Sequence, residues 1–235
     1  MSIVKAKVGE LCIDDTGIFL SESKQLQSAL TAAHNPQEMQ LPLRHIDRKV
    51  IWKQRSMKDA HELKHIRKAA EIAKKALSEV LKTLQVGQTE IEVAHQFDVR
   101  LFELGAQGPA FPTIVAFGEH ATLPHHQPGK TKLTQETPVL IDCGAMVEAY
   151  NSDITRTVWF GEKPSEQFLA IKKIVDHAYS IGLEQLELRT LESKTVTAGQ
   201  VDEAVRKYIT DAGYGKEYIH TTGHGIGIDV HEPPS

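Results

Sequence analysis

Three features of the sequence predict an α+β fold. Apolar residues recur at helical spacing in two blocks, about 59–105 and 165–212. Between them, residues 110–160 are rich in Val, Ile, Thr and Phe, which favour strands. Beyond Gly213 the chain turns glycine-rich, with a strand-like alternation at Ile226, Ile228 and Val230.

The first 57 residues read differently. Cys12 to Leu20 suggests a strand, a turn and a second short strand. Ser21 to Ala33 suggests a helix, stopped by His34-Asn35-Pro36. This segment holds too little apolar material for a core of its own. It reads as the tail of a larger N-terminal domain, or as a small cap. From Asp59, a stripe of Leu63, Ile66, Ala70, Ala73, Leu77, Val80 and Leu84 predicts a long helix, with Gly87 as its stop. Thr89 is the predicted cap of a second helix, with Ile91, Ala94, Phe97, Leu101 and Leu104 as its stripe and Gly105 as its end. A third helix is predicted from Ser165 or Glu166 to about Leu186, and a fourth over 199–212. The order long helix, short link, shorter helix thus occurs twice. Many α/β chains contain two helix pairs; the sharper explanation is a duplicated half, with a site at the junction.

Composition narrows the function classes. Hydrophobic residues make up 40% and charged residues 25%, as in a globular domain, which excludes a disordered or fibrous chain. A net charge of −4 offers no positive field for a phosphate backbone, so nucleic acid is not an expected partner. No run of about 18 apolar residues predicts a membrane span, and the first fifteen residues lack the apolar core of a signal peptide. Cys12 and Cys143 lie far apart and form no disulfide framework, so a cytoplasmic location is expected.

Three segments carry candidate chemistry. Pro138 to Gly161 reads as a β-hairpin; with its turn centred between Val147 and Glu148, Asp142 stands opposite Asp153. Two carboxylates so close require a shared proton or a cation. The alternative is another register, with both aspartates solvated at loop ends. In the second segment His220, His224 and His231 fall within twelve residues, beside glycines that permit close backbone approach. A single core histidine is usually just hydrogen-bonded, but three so clustered suggest ligands or catalytic groups. The third segment, around Pro124-His125-His126, reads by itself as an exposed turn. Two carboxylates with an imidazole suit Mn, Co or Zn. Two such ions clamp a bridging hydroxide and polarise a carbonyl, which implies amide hydrolysis.

DCGAMVEAYNSDITRTV and GHGIGIDVHE, together with the opening RSMKDAHELKHIRKAAEIAKKAL, resemble the motifs of the pita-bread metallopeptidases, in the same order. That family includes prolidases, Xaa-Pro aminopeptidases and methionine aminopeptidases. The resemblance implies a creatinase/aminopeptidase-like pita-bread fold, a curved antiparallel sheet with outer helices. It places a catalytic domain at 58–235 and a short or remnant N-terminal creatinase-like domain at 1–57. It also implies two divalent metal ions, Mn2+ first and Co2+ or Zn2+ as alternatives. Asp142, Asp153 and His224 match metal ligands. His125, His220 and His231 match substrate-pocket histidines, with His231 and His125 as catalytic candidates. Asp-x-Gly-Ala with Ser-Asp-Ile-Thr-Arg-Thr resembles the proline-directed branch, whose substrates are peptides or dipeptides with proline second. Two alternatives are a pita-bread domain that binds peptide or protein without hydrolysis, and creatinase-like chemistry on a small substrate. The family's metal site has two further glutamates downstream of Val-His-Glu, and the sequence stops at Ser235. The expectation is a fold incomplete at the C-terminus, with three of five ligands. An open sheet edge is also expected, as an aggregation hazard or a homodimer contact.

Overall fold

The computed structural model describes residues 11–14, 25, 43–46, 48–191 and 196–234. The chain divides into two compact units, 1–57 and 58–235. In the first, β1 (Leu11–Asp14) pairs in parallel with β2 (Leu43–Ile46), and helix α1 spans Arg48–Arg55. The predicted strand at Cys12 is present. Its predicted partner up to Leu20 and the helix over 21–33 lie outside the described residues, apart from Gln25.

The second unit opens with α2 (Ala60–Lys82) and α3 (Glu90–Glu103). Asp59 starts α2 with a capping box: its side chain accepts from the Glu62 N–H, and the Glu62 carboxylate accepts from the Asp59 N–H. Thr89 and Glu92 repeat the device on α3. The buried face of α2 is Ala69, Ile72, Ala73, Ala76, Leu77 and Val80. Leu63, predicted inside, is exposed. The buried stripe runs instead through Ala69, Ala73 and Ala76. Helix α2 also stops earlier than predicted, at Lys82. Thr83 caps it, and Gly87, at φ 91°, bends the link that follows.

Among the described residues of this unit, the strands form two three-stranded antiparallel sheets. One orders β3 (Gly108–Pro109), β6 (Ala145–Val147) and β7 (Tyr150–Asn151). The other orders β4 (Ile114–Phe117), β5 (Thr137–Cys143) and β8 (Ile154–Phe160). Phe97 and Leu101 of α3, Leu133, and Val115, Val139, Ile141 and Cys143 of the sheet fill the core with the α2 stripe. Helices α4 (Glu166–Leu191) and α5 (Ala198–Asp211) follow. They pack around Ala178, Val205 and Ile209. Among the described residues no strand follows α5, so the predicted strand at 226–230 is absent. Gly225 instead forms a single bridge with Glu232, the chain folds back between them, and Ile228 faces solvent.

Candidate metal centre

The hairpin register differs from expectation. Met146 pairs with Asn151, Val147 with Tyr150, Cys143 with Ile154 and Asp142 with Thr155. The turn is therefore the two residues Glu148 and Ala149, at φ 49° and 66°. Positive φ at both positions is the type I′ geometry that matches strand twist. Moving the turn centre by one residue slides the register by two. Because strands alternate with period two, the slide leaves Asp142 and Asp153 on one face. They are diagonal neighbours rather than direct partners.

Thr155 stands opposite Asp142, and its Oγ1 donates to Asp142 Oδ1 at 2.6 Å. Burial, and then the neighbouring Asp142 carboxylate, raise the Asp153 pKa above the usual carboxylate range; His224 and His231 offset this in part. The His224 Nε2 lies 3.5 Å from Asp153 Oδ2. The His231 ring packs on His224 with centroids 4.1 Å apart. The structure thus gathers Asp142, Asp153, His224 and His231. His220 makes other contacts: its ring packs on Tyr218, and its Nδ1 lies 2.8 Å from the Thr221 carbonyl. His125 is exposed at φ 57°, and among the described residues no hydrogen bond or ring contact joins it to the group.

Two sets of contacts hold the carboxylates and imidazoles in register. At the bend between β5 and β6, a Cβ on Gly144 would stand 1.9 Å from the Ser152 carbonyl, so only glycine fits. Ser152 Oγ accepts from the Ala145 N–H at 2.9 Å, closing that bend. Buried Asn151 donates its Nδ2 to the carbonyls of Gly227 and Ile228, at 3.3 and 2.7 Å. Its backbone N–H donates to Gly227 as well. The histidine segment is thereby tied to β7. Its far side is fixed by Lys58, whose Nζ reaches Glu232 Oε2 at 3.0 Å, while Glu232 Oε1 accepts from the Asp229 N–H. A Cβ on Gly227 would stand 2.6 Å from Glu232 Oε2. The close approach that the glycines suggested is thus to the chain's own Glu232.

The sequence profile of metallopeptidase family M24 matches residues 64–235. The chain belongs to metallopeptidase family M24. Among relatives of this M24 chain, the Xaa-Pro dipeptidase of Pyrococcus horikoshii is 37% identical over 185 residues. That match covers 79% of this chain and 51% of the relative. The crystal structure of an X-Pro aminopeptidase from Thermotoga maritima MSB8 superposes with a TM-score of 0.76 at 34% identity. It covers 95% of this chain and 60% of that one. Prolidase from Pyrococcus furiosus gives 0.78 at 30% identity, over 95% of this chain and 62% of its own. The fold is therefore the pita-bread fold, and the chain spans about half the length of the curated relatives it matches.

Sequence reasoning about this M24 chain overlooked Asn151, Thr155 and Lys58. Asn151 and Thr155 flank Asp153 in the same motif; Asn151 is buried, where a polar residue must have a partner, and Thr155 is exposed. For the Lys58–Glu232 pair, 174 positions apart, no local pattern gives a signal.

Proposed function

We propose that the chain is part of a dinuclear metal-dependent exopeptidase that acts on Xaa-Pro bonds, as an aminopeptidase or dipeptidase. The carrying observation is the Asp142–Asp153 pair with His224 at 3.5 Å from Asp153. Burial and then the Asp142 carboxylate raise the cost of ionising Asp153, and a cation between the two would remove it. Oxygen and imidazole donors fit a hard-to-borderline divalent ion, so this donor set suits Mn2+, with Co2+ or Zn2+ as alternatives. Bound metal would supply Lewis-acid activation of water and of the scissile carbonyl. Asp142, Asp153 and His224 would hold the ions. Thr155 orients the Asp142 carboxylate through its hydroxyl. His231, its ring packed at a tilt against His224, would contact substrate beside the ions. On this reading His125 and His220 would be further residues of the substrate pocket. The relatives' names, Xaa-Pro dipeptidase and X-Pro aminopeptidase, support proline in the second position.

Residues 58–235 then belong to the catalytic domain, and 1–57 to the end of an N-terminal creatinase-like domain. No described helix is long and apolar enough to cross a membrane. Cys143 is free and buried, and burial raises its thiol pKa so that it stays protonated. This fits a reducing cytoplasm.

The test is cleavage of an Xaa-Pro dipeptide and a longer Xaa-Pro peptide by the full-length gene product with added Mn2+. Turnover that Asp142→Asn and Asp153→Asn abolish is the expected result. A protein that binds these peptides but leaves them intact with every divalent metal would instead be a non-catalytic pita-bread domain.

A further inference from the structure

Glu90, His120 and His126 form a second convergence of donor atoms, built on residues outside the aspartate pair. Glu90 is the first residue of α3, yet it is fully buried. Its Oε1 accepts from the Phe117 N–H at 2.9 Å and lies 2.8 Å from His120 Nδ1. Its Oε2 accepts from the Gly129 N–H at 2.9 Å and lies 2.9 Å from His126 Nε2. The two imidazoles pack together with centroids 4.5 Å apart. One donor atom from each of the three residues falls within 4.8 Å of the other two. Among the described residues no other trio of His, Cys, Asp or Glu does so, Asp142, Asp153 and His224 included.

We infer that Glu90, His120 and His126 bind one borderline divalent cation of the Zn2+ class. The donor set decides the class: two imidazole nitrogens and one carboxylate favour Zn2+, Co2+ or Ni2+ over Mg2+ or Ca2+. Spacing agrees. Bonds of about 2.0–2.2 Å to a tetrahedral ion set ligand atoms roughly 3.3 Å apart. The observed 2.8 and 2.9 Å, one to each carboxylate oxygen, are about half an ångström short of that, and the three donor atoms lie within 4.8 Å of one another, so rotation of the side chains would bring them onto one ion. The carboxylate is already aimed, since the Phe117 and Gly129 amides fix one oxygen each and leave a lone pair on both. Exposure grades across the site: the side chains of Glu90, His126 and His120 are 0%, 11% and 29% exposed. Water can therefore reach the His120 side and supply a fourth ligand, and the ion has a path in. Bound there, it would fasten the start of α3 to both ends of the 117–129 segment. His125, beside His126, would be held with it. The site does not depend on the peptidase reading.

Calorimetric titration with Zn2+ tests it in a variant carrying Asp142→Asn, Asp153→Asn and His224→Ala, which removes the three ligands proposed for the other centre. One equivalent is expected to bind. Adding His120→Ala or His126→Ala should weaken it by more than roughly 10-fold, and Mg2+ should not compete. Equal Zn2+ affinity with and without the two histidines, or no binding at all, overturns the site. Imidazole nitrogen NMR on the unsubstituted chain needs no folded variant. One equivalent of Zn2+ should shift His120 Nδ1 and His126 Nε2; resonances unmoved at saturating Zn2+ would mean a hydrogen-bonded cluster only.

Discussion

The two helix pairs of the second unit use the same local devices around very different cores. Both α3 and α5 begin with a Thr-led capping box, Thr89 with Glu92 and Thr197 with Gln200. Both end on a glycine at positive φ, Gly105 and Gly213. In each, the next N–H reaches back to the fifth residue before it, Ala106 to Leu101 and Tyr214 to Ile209. Around α2 and α3, however, a large buried cluster joins helices to sheet. Around α4 and α5 the cluster among the described residues is Ala178, Val205 and Ile209, with partly buried Ile181, Tyr208, Tyr214 and Tyr218 against it. Val175, Tyr179, Leu183 and Leu186 of α4 lie exposed along one helix face. Repeated caps set where helices start and stop, whereas the strength of each half depends on what its apolar face meets. The candidate metal centre draws its carboxylates from the well-packed half and its imidazoles from the thinly packed one.

Substitutions can break or sharpen this contrast. The largest effect is expected in the first half: Phe97→Ala removes a fully buried ring and should cost about 3–5 kcal/mol in urea unfolding. A loss no larger than that of Val205→Ala would mean that the halves are equally cored. Next is Asn151→Ala, at the seam. Losing its bonds to Gly227 and Ile228 should cost about 1–3 kcal/mol. Amide exchange at Gly225 and Glu232 should quicken while α2 and α3 stay protected; uniform exchange would disprove a separate seam.

Asp153→Asn should stabilise the metal-free chain. The folded state holds the Asp153 proton more tightly than the unfolded one, where the ordinary value is 3.8. Stability therefore falls as pH rises from that value through the raised one, and asparagine removes the fall. A thermal midpoint roughly 2–4 °C higher at pH 7, with little change at pH 3, is the expected outcome. A lower midpoint at both pH values would show that the cost of ionising Asp153, from burial and then from Asp142, is not what limits stability here. Smallest is Tyr179→Lys on the exposed face of α4, expected within about 0.5 kcal/mol. A larger loss would reveal packing on that face.

The existence and order of the helices were legible because periodicity, caps and glycines agree over long spans. Faces were less so: alanines at 69, 70, 73 and 76 give a stripe little direction until a partner helix selects it. The turn at Glu148-Ala149 was missed by one residue because neither side chain announces positive φ, as Asn or Gly would. The aspartates still fell on one face because strand parity survives a slide of two. Alternation at Ile226, Ile228 and Val230 misled because Gly225, Gly227 and the following prolines favour reversal over extension. Glu90 was invisible for a different reason. An amphipathic pattern assigns charges to solvent, and only the four donors converging from residues 117–129 show why this one lies inside.

The Lys58–Glu232 pair also governs how the second unit carries tension. Lys58 begins that unit and Glu232 sits near its far end, both side chains largely enclosed. A pull applied between residues 58 and 234, by a threading unfoldase or an optical trap, meets this clasp before it loads any strand of the sheet. While the clasp holds, force runs across the short circuit from α2 to the histidine segment and bypasses the core. Once it opens, the histidines peel away first, and the unit would lose its imidazoles to mechanical work while its hairpin and carboxylates remained folded.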